Sequence, residues 1–169
     1  MSKLRSTHLT ETGEARMVDI GDKPATAREA VARATVHLSP ATLDAIEGGQ
    51  AAKGDVYAAA RIAGIMASKR TPELIPLCHP VALTHCEVHL EAARAGDRAA
   101  VVVTAVARTT DRTGVEMEAL VAASTAALTV YDMCKSMDRA MVIADVMVIE
   151  KRGGKSGEFV HPRADAPAL

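Results

Sequence analysis

Ionisable side chains stand at both ends of a long uncharged segment in the second half of the chain. Residues 119–131 carry no charge, whereas Glu116 and Glu118 precede them and Asp132 and Lys135 follow them. Such a segment predicts a helix that is buried on every side, and charged groups at its ends can meet a ligand without crossing a core. We therefore expect the candidate site residues at the two ends of this helix.

The first end combines two carboxylates with a histidine. Glu116 and Glu118 would point about 200° apart inside a helix, although the first turn permits looser geometry. One of them could cap the helix, which would leave the other free to bind a ligand. His79 lies between Cys78 and Pro80 in an apolar segment, where a fixed turn could hold its imidazole against a ligand. Two carboxylates beside a histidine suit the donor-rich edge of a guanine or pterin ring.

The second end combines a carboxylate with lysines. Asp132 and Lys135 are three residues apart and therefore neighbours on one helix face, where an ordinary ion pair is the alternative to a catalytic role. Lys53 is isolated just before a predicted helix start, a position at which anions bind well. We expect Lys53 and Lys135 to bind phosphates while Asp132 moves a proton.

A P-loop and a zinc site both fit the sequence poorly. Lys155 and Ser156 follow two glycines, but the first glycine of a P-loop would fall on Ile149, and too few residues follow for the helix that a P-loop needs. A basic loop that contacts phosphate and a solvated tail both remain open for this segment. The cysteines and histidines lack the short spacing of structural zinc sites, so we expect no metal site. These residues are Cys78, His79, His85, His89 and Cys134.

Composition and charge define the broad class of protein. A chain of 169 residues with a net charge of −1 suits one compact domain that has no general affinity for nucleic acid or anionic membranes. The longest uncharged run is shorter than the roughly 20 residues that a bilayer requires, and the first ten residues are too polar for a signal peptide. Three cysteines without a CxxC pair fit a reducing compartment. We expect a cytoplasmic protein whose alanine-rich core gains from burial against other subunits.

The predicted elements follow a split βαβ order. Period-two alternation predicts strands at 30–38, 84–91, 99–107 and 141–150. Helix-start and helix-stop signals predict helices at 40–47, 55–70 and 114–137. This order predicts an α+β, ferredoxin-like sandwich in which helices cover one face of an antiparallel sheet. We expect a flexible N-terminal arm, a single catalytic domain, and a glycine-rich basic loop with a C-terminal tail, at residues 1–27, 28–152 and 153–169.

Short motifs along nearly the whole chain resemble the MoaC family of cyclic pyranopterin monophosphate synthases. The motifs are MVDI (17–20), KGDV (53–56), ARIAG (60–64), LCHP (77–80), TGVEMEAL (113–120), YDMCK (131–135) and GGKSG (153–157). Only about the first dozen and the last dozen residues fall outside the match. One departure is Ala59, where the family more often has threonine.

The resemblance implies the second step of molybdenum cofactor synthesis. In that step 3′,8-cyclo-7,8-dihydro-GTP is rearranged to cyclic pyranopterin monophosphate, and pyrophosphate is released, which makes the enzyme a lyase. The chemistry implies no redox cofactor, and Mg²⁺ would only accompany the substrate phosphates. The family also implies a homo-hexamer built as three dimers.

The resemblance also implies a role for each candidate residue. The residues that would hold the substrate are Leu77, Cys78, His79, Met117 and Glu118, with Glu116 in support. Asp132 would be the catalytic carboxylate, and its acid and phosphate partners would be Lys53 and Lys135. Two further basic residues match positions expected to approach the triphosphate, namely Arg28 and Lys155.

Helix geometry predicts that one chain cannot form the whole site. Glu118 and Asp132 are fourteen residues apart, which places them about 21 Å apart on one helix, too far for a compact cyclised substrate to bridge. If the helix packs beside a two-fold mate that runs the other way, each glutamate end meets the Asp132 end of the partner. We therefore expect two active sites shared between two chains.

Two other classes of protein fit less well. An RNA-binding module of this fold would need aromatic side chains for stacking on its sheet, and the two middle strands carry none. A non-catalytic, ligand-binding regulatory domain would explain a buried helix and an oligomer. It has no need, however, for Asp132 and two lysines at one pole.

Overall fold

The structure is a computed structural model that describes residues 8–10, 12–167 and 169, so residues 1–7 and 11 of the predicted arm and residue 168 of the tail lie outside the described residues. The elements in chain order are β1 (Thr26–Leu38), α1 (Pro40–Glu47), α2 (Val56–Ser68), α3 (Thr71–Leu74), β2 (His85–Ala95), β3 (Arg98–Asp111), α4 (Glu116–Cys134), β4 (Val142–Arg152) and β5 (Phe159–Val160).

The five strands form one antiparallel sheet in the order β2-β3-β1-β4-β5. The first four strands and the helical connections between them have the arrangement of a split βαβ unit. The predicted ferredoxin-like α+β fold is therefore confirmed. Within the described residues, no helix is long and apolar enough to cross a membrane.

The core lies between the central strand β1 and the helix α4. Ala30, Ala32 and Ala34 are fully buried on one face of β1, and the small side chains of α4 pack against the same layer. Gly64 allows α2 to approach α4 closely, because a Cβ atom there would lie only 2.8 Å from the carbonyl oxygen of Ala122. Small residues thus set the spacing of the layers that carry the candidate site.

The expectation that α4 is buried on every side is wrong for a single protomer. Its inner face is fully buried, but Leu128 is 59% exposed, and Ile62 and Met66 of the neighbouring α2 are also exposed. The reason is that the sheet and α2 together surround only part of the helix. One side of the α2 and α4 layer is left open.

Several element boundaries extend beyond the predicted ones. β1 begins at Thr26 rather than Ala30, because its backbone already pairs with β3 at Asp111. Polar residues at 28 and 29 interrupt the apolar pattern, but they do not interrupt backbone hydrogen bonds. The short strand β5 was not predicted, and it pairs with the end of β4.

Candidate active site

A cavity of about 370 Å³ lies at the N-terminal end of α4. Its lining includes all six residues predicted for the base-binding end, which are Leu77, Cys78, His79, Glu116, Met117 and Glu118. We call this space the base cavity. Its other walls come from the turn before α4 and from the N-terminal segment, through Thr113, Gly114, His8, Val18, Ile20 and Lys23.

The histidine of the base cavity is tied to the N-terminal segment. The Nε2 atom of His79 lies 2.7 Å from the carbonyl oxygen of Val18, so this nitrogen carries the proton of the hydrogen bond. The bond fixes the imidazole ring and holds one wall of the cavity in place. Beside it, burial and the nearby charge of Glu118 raise the pKa of the Cys78 thiol, which keeps it neutral.

Glu118 is the most deeply placed carboxylate of the base cavity. It is only 3% exposed, and burial together with the neighbouring Glu116 charge raises its pKa above the ordinary value. A hydrogen bond from its own backbone N–H opposes that rise. Val115, at the N-cap position of α4, provides no side-chain cap.

Glu116 is held by a residue that sequence reasoning missed. The Nζ atom of Lys151 donates a hydrogen bond to Oε1 of Glu116 at 2.6 Å, and both side chains are largely buried. Gly114 makes room for the carboxylate, since a Cβ atom at this position would overlap with Glu116 Oε2. The lysine comes from β4, so the sheet and the helix are joined at this end of the site.

The alternation of β4 could not have placed Lys151. Val148 and Lys151 are three residues apart, yet they pair with Ala32 and Ala30, which face the same side of β1. A register shift between the two pairs accounts for the odd spacing, because a bulge inserts an extra residue into the strand. A strict period of two puts one of these two side chains on the wrong face.

A second cavity of about 770 Å³ adjoins the base cavity and shares three of its lining residues. Four of its lining residues are basic, so we call it the basic cavity: Lys23, Arg28, Arg112 and Lys155. Arg28 and Lys155 were predicted for the phosphate end. Lys23 and Arg112 were not, because isolated basic residues in irregular segments give no pattern.

The glycine-rich loop, residues 153–157, packs on the start of β1. Gly153 and Gly154 both have positive φ angles, and Cβ atoms on them would overlap with the Ala27 carbonyl oxygen and the Arg28 guanidinium. Arg28 is itself anchored, since its Nε donates to the carbonyl oxygen of Asp111 at 2.8 Å. This close packing brings Lys155 and Arg28 to the same cavity.

The third group of predicted residues lies at the other end of α4. Asp132 accepts hydrogen bonds from Lys53 at 2.6 Å and from Lys135 at 2.7 Å, and all three side chains are about half exposed. The hydrogen bonds from Lys135 and then Lys53 lower the pKa of Asp132 to about 2. Asp132 in turn raises the pKa of Lys135. We call these three residues the lysine-aspartate cluster.

The lysine-aspartate cluster is not part of the lining of the base cavity or the basic cavity. Glu118 and Asp132 lie in the first and last turns of α4, fourteen residues and therefore about 21 Å apart. One protomer thus brings the base and basic cavities together but keeps the cluster apart from them. Within the described residues, no group of three His, Cys, Asp or Glu side chains is arranged to hold a metal ion.

Comparison with known proteins places the chain among close relatives. The sequence pattern of the MoaC family matches residues 17–154. The chain is similar to the cyclic pyranopterin monophosphate synthase of Roseiflexus castenholzii, with 57% identity over 156 residues, which cover 91% of this chain and 96% of that protein. The synthase of Herpetosiphon aurantiacus is 56% identical over 92% of this chain and 94% of its own. That of Pelotomaculum thermopropionicum is 56% identical over 95% of this chain and 93% of its own.

Proposed function

This chain belongs to the MoaC family, and we propose that it catalyses the reaction for which its relatives are named, the synthesis of cyclic pyranopterin monophosphate. The substrate is 3′,8-cyclo-7,8-dihydro-GTP, and the second product is pyrophosphate. Because bonds are broken and rearranged without hydrolysis or net redox change, the enzyme is a lyase. The resemblance found in the sequence motifs is confirmed at the level of the family.

The observation that carries the proposal is the junction of two cavities of opposite character. The base cavity presents carboxylates and an imidazole, which suit the N–H groups along the edge of a guanine-derived ring. The adjoining basic cavity presents two arginines and two lysines, which suit phosphate oxygens. A nucleoside triphosphate has this same order of groups, with a donor-rich base at one end and a polyanion at the other.

Glu118 is suited to hold the reacting ring. Its carboxylate is removed from water, so a hydrogen bond from a ring N–H would be stronger there than at an exposed position. Its raised pKa also allows it to share a proton with the ring. Glu116, whose carboxylate is fixed by Lys151, would accept a hydrogen bond from the neighbouring N–H group of the ring.

Asp132 and its two lysines would supply the acid and base groups. In the free protein both lysines keep the carboxylate ionised, with a pKa of about 2. When substrate phosphates bind Lys53 and Lys135, these hydrogen bonds weaken and the pKa of Asp132 rises, which makes it a better base. The substrate would therefore activate the carboxylate that removes its proton.

The base cavity of one protomer would meet the lysine-aspartate cluster of a second protomer at an interface between them. The base cavity and the lysine-aspartate cluster lie about 21 Å apart along α4, so one chain cannot bring both into contact with a compact substrate. The exposed side chains Ile62, Met66 and Leu128 lie on the open side of the α2 and α4 layer and support burial against a second copy. A two-fold pair of antiparallel α4 helices would create two shared sites, and three such dimers would make the proposed hexamer.

The proposed reaction requires no redox cofactor, and Mg²⁺ would accompany the substrate phosphates only. The ring opening and closing instead needs several proton transfers, which the lysine-aspartate cluster can perform. We also propose that the protein works in the cytoplasm, in line with its three free cysteines.

Turnover of the cyclised nucleotide tests the proposal directly. Purified protein is incubated with 3′,8-cyclo-7,8-dihydro-GTP, and pyrophosphate and the pterin product are measured over time. We expect the two products to form in equal amounts over many turnovers. Tight binding of the nucleotide without release of pyrophosphate would reject the proposal and favour the regulatory domain.

A further inference from the structure

Arg33 makes a contact that the candidate active site does not explain. It lies in the middle of β1, on the face of the sheet opposite the fully buried Ala32 and Ala34. Its guanidinium donates hydrogen bonds to three backbone carbonyl oxygens far along the chain. The acceptors and N···O distances are Arg163 at 3.0 Å, Ala164 at 3.0 Å and Ala166 at 3.3 Å. We call residues 161–167 the C-terminal strap.

Two further contacts fix the strap to β4. The backbone N–H of His161 donates to the Ile149 carbonyl oxygen at 2.8 Å, and the guanidinium of Arg163 lies 2.7 Å from the Asp145 carboxylate. Asp145 is the one non-glycine residue with a positive φ angle in the described part of the chain, which marks an irregular point of β4. The strap is therefore held at three places on the sheet.

The strap continues directly from the element that carries the glycine-rich loop. β5 has only two residues, and the side chains of Phe159 and Val160 are exposed. A two-residue edge strand with exposed side chains gains little from burial and would open easily by itself. The hydrogen bonds of Arg33 are charge-assisted and so supply the anchor that β5 lacks.

We propose that Arg33 is a positioning residue that acts through the strap and β5 to hold Lys155 in the basic cavity. While Arg33 is hydrogen-bonded to the strap, loop 153–157 is fixed at both ends, by β4 on one side and by β5 on the other. When the strap is released, the packing of Gly153 and Gly154 on β1 holds only the start of the loop, so Lys155 keeps its charge but is less restricted in position beside Arg28. The inference that this matters for substrate binding rests on the proposed function.

Hydrogen exchange in the free protein tests whether Arg33 holds the C-terminal strap in place, and this test does not depend on enzymatic activity. Arg33→Ala is compared with the wild type and with Arg94→Ala, which removes an exposed arginine paired with Asp44 and Glu47. We expect the amides of Gly157 and His161 to exchange at least about tenfold faster in Arg33→Ala, as in local opening, while the amides of α4 are unchanged. Unchanged exchange at Gly157 and His161, or equal acceleration in α4, would overturn the proposal.

Steady-state kinetics test whether Arg33 acts through Lys155. We expect Arg33→Ala to raise KM by about tenfold, which is the effect of losing the one hydrogen bond that Lys155 would donate to a substrate phosphate. The kcat should change by less than about twofold. In a Lys155→Ala background the same change should have no further effect, because its target is already absent. Independent, multiplicative effects of the two substitutions on KM would contradict the proposal.

Two further variants keep these tests decisive. Arg33→Lys retains the charge but not the planar fork, so its KM should lie between those of the wild type and Arg33→Ala. If Arg33→Ala fails to fold, Arg163→Ala removes the exposed second anchor and is measured in the same two assays, with the same outcomes for and against. If the wild-type protein does not convert the cyclised nucleotide, the proposed function alone is rejected. The exchange experiment would still show whether Arg33 holds the C-terminal strap in place.

Discussion

The ammonium group of Lys53 lies 2.6 Å from Oδ2 of Asp132 and 3.0 Å from the carbonyl oxygen of the same residue. Lys53 precedes α2 and Asp132 lies in the last turn of α4, so the contact joins the segment before α2 to the C-terminal end of α4. An ion pair that is about half exposed contributes little to stability. Stabilisation of the fold therefore does not account for the pair, and the role that we propose for its two charges is in substrate binding and proton transfer.

Removal of either residue should abolish activity and leave the fold intact. We expect Lys53→Ala and Asp132→Ala to lower kcat by at least about a hundredfold, the usual effect of losing a general acid or base. The Tm should stay within a few degrees of the wild type, because both side chains lie outside the core. Asp44→Ala, which removes another exposed carboxylate of an ion pair, should leave kcat unchanged. Near-normal turnover in either cluster variant would remove that residue from the mechanism.

The carboxyl group of Asp132 should titrate far below its ordinary range. Carboxyl ¹³C NMR of the free protein is expected to give a midpoint of about 2, and Lys135→Ala should move it toward 3.8. A lowered pKa means that this group stabilises the fold above pH 3.8 and that the contribution is lost as the pH falls toward 2. A midpoint of 3.8 or higher in the wild type would show that the three charges do not interact in solution.

The arrangement of strands and helices followed from sequence patterns. Alternation along β1 and β2 identifies their buried faces, and the cap residues Ser39 and Asp55 mark the starts of α1 and α2. The six residues predicted for the base-binding end also line one cavity, and they come from two short segments of the sequence. These features depend on local sequence, so they can be predicted without knowledge of contacts between distant parts of the chain.

Features that depend on distant contacts could not be predicted. The bulges of β4 decide which way Lys151 faces, and they depend on its pairing with β1. The position of the C-terminal strap depends on hydrogen bonds from Arg33, which is more than a hundred residues away along the chain. A lone arginine in a strand gives no indication of such a partner.

Replacement of Glu118 by glutamine should stabilise the protein at neutral pH. The raised pKa means that the folded state binds a proton more readily than the unfolded state, so the ionised carboxylate destabilises the fold above that pKa. We expect the Tm of Glu118→Gln to exceed that of the wild type by a few degrees near pH 8, and the gap to close as the pH falls to 4.5. Glu91→Gln, at an exposed position of β2, should show no such gap. A gap that widens at low pH would contradict the assigned direction.

Lys151 and Glu116 should act as one unit. Lys151→Met and Glu116→Ala are each expected to destabilise the fold by about 1–3 kcal/mol, because each removes one member of the hydrogen-bonded ion pair and leaves the other, partly buried, without its partner. The double variant should lose less than the sum, with a coupling of about 1 kcal/mol or more. Urea denaturation of the four proteins measures this coupling, and Lys69→Met serves as the control for loss of an exposed lysine. Simple addition of the two losses would show that the pair is not formed in solution.

Complementation between two inactive variants tests the shared site most directly. Glu118→Ala and Asp132→Ala proteins are mixed in equal amounts, co-assembled at random, and assayed for pyrophosphate release. Half of the dimers are then mixed and each has one intact site, so activity should return to about a quarter of the wild-type value. A mixture that mass spectrometry shows to have exchanged subunits, and that is still inactive, would place the whole site within one chain.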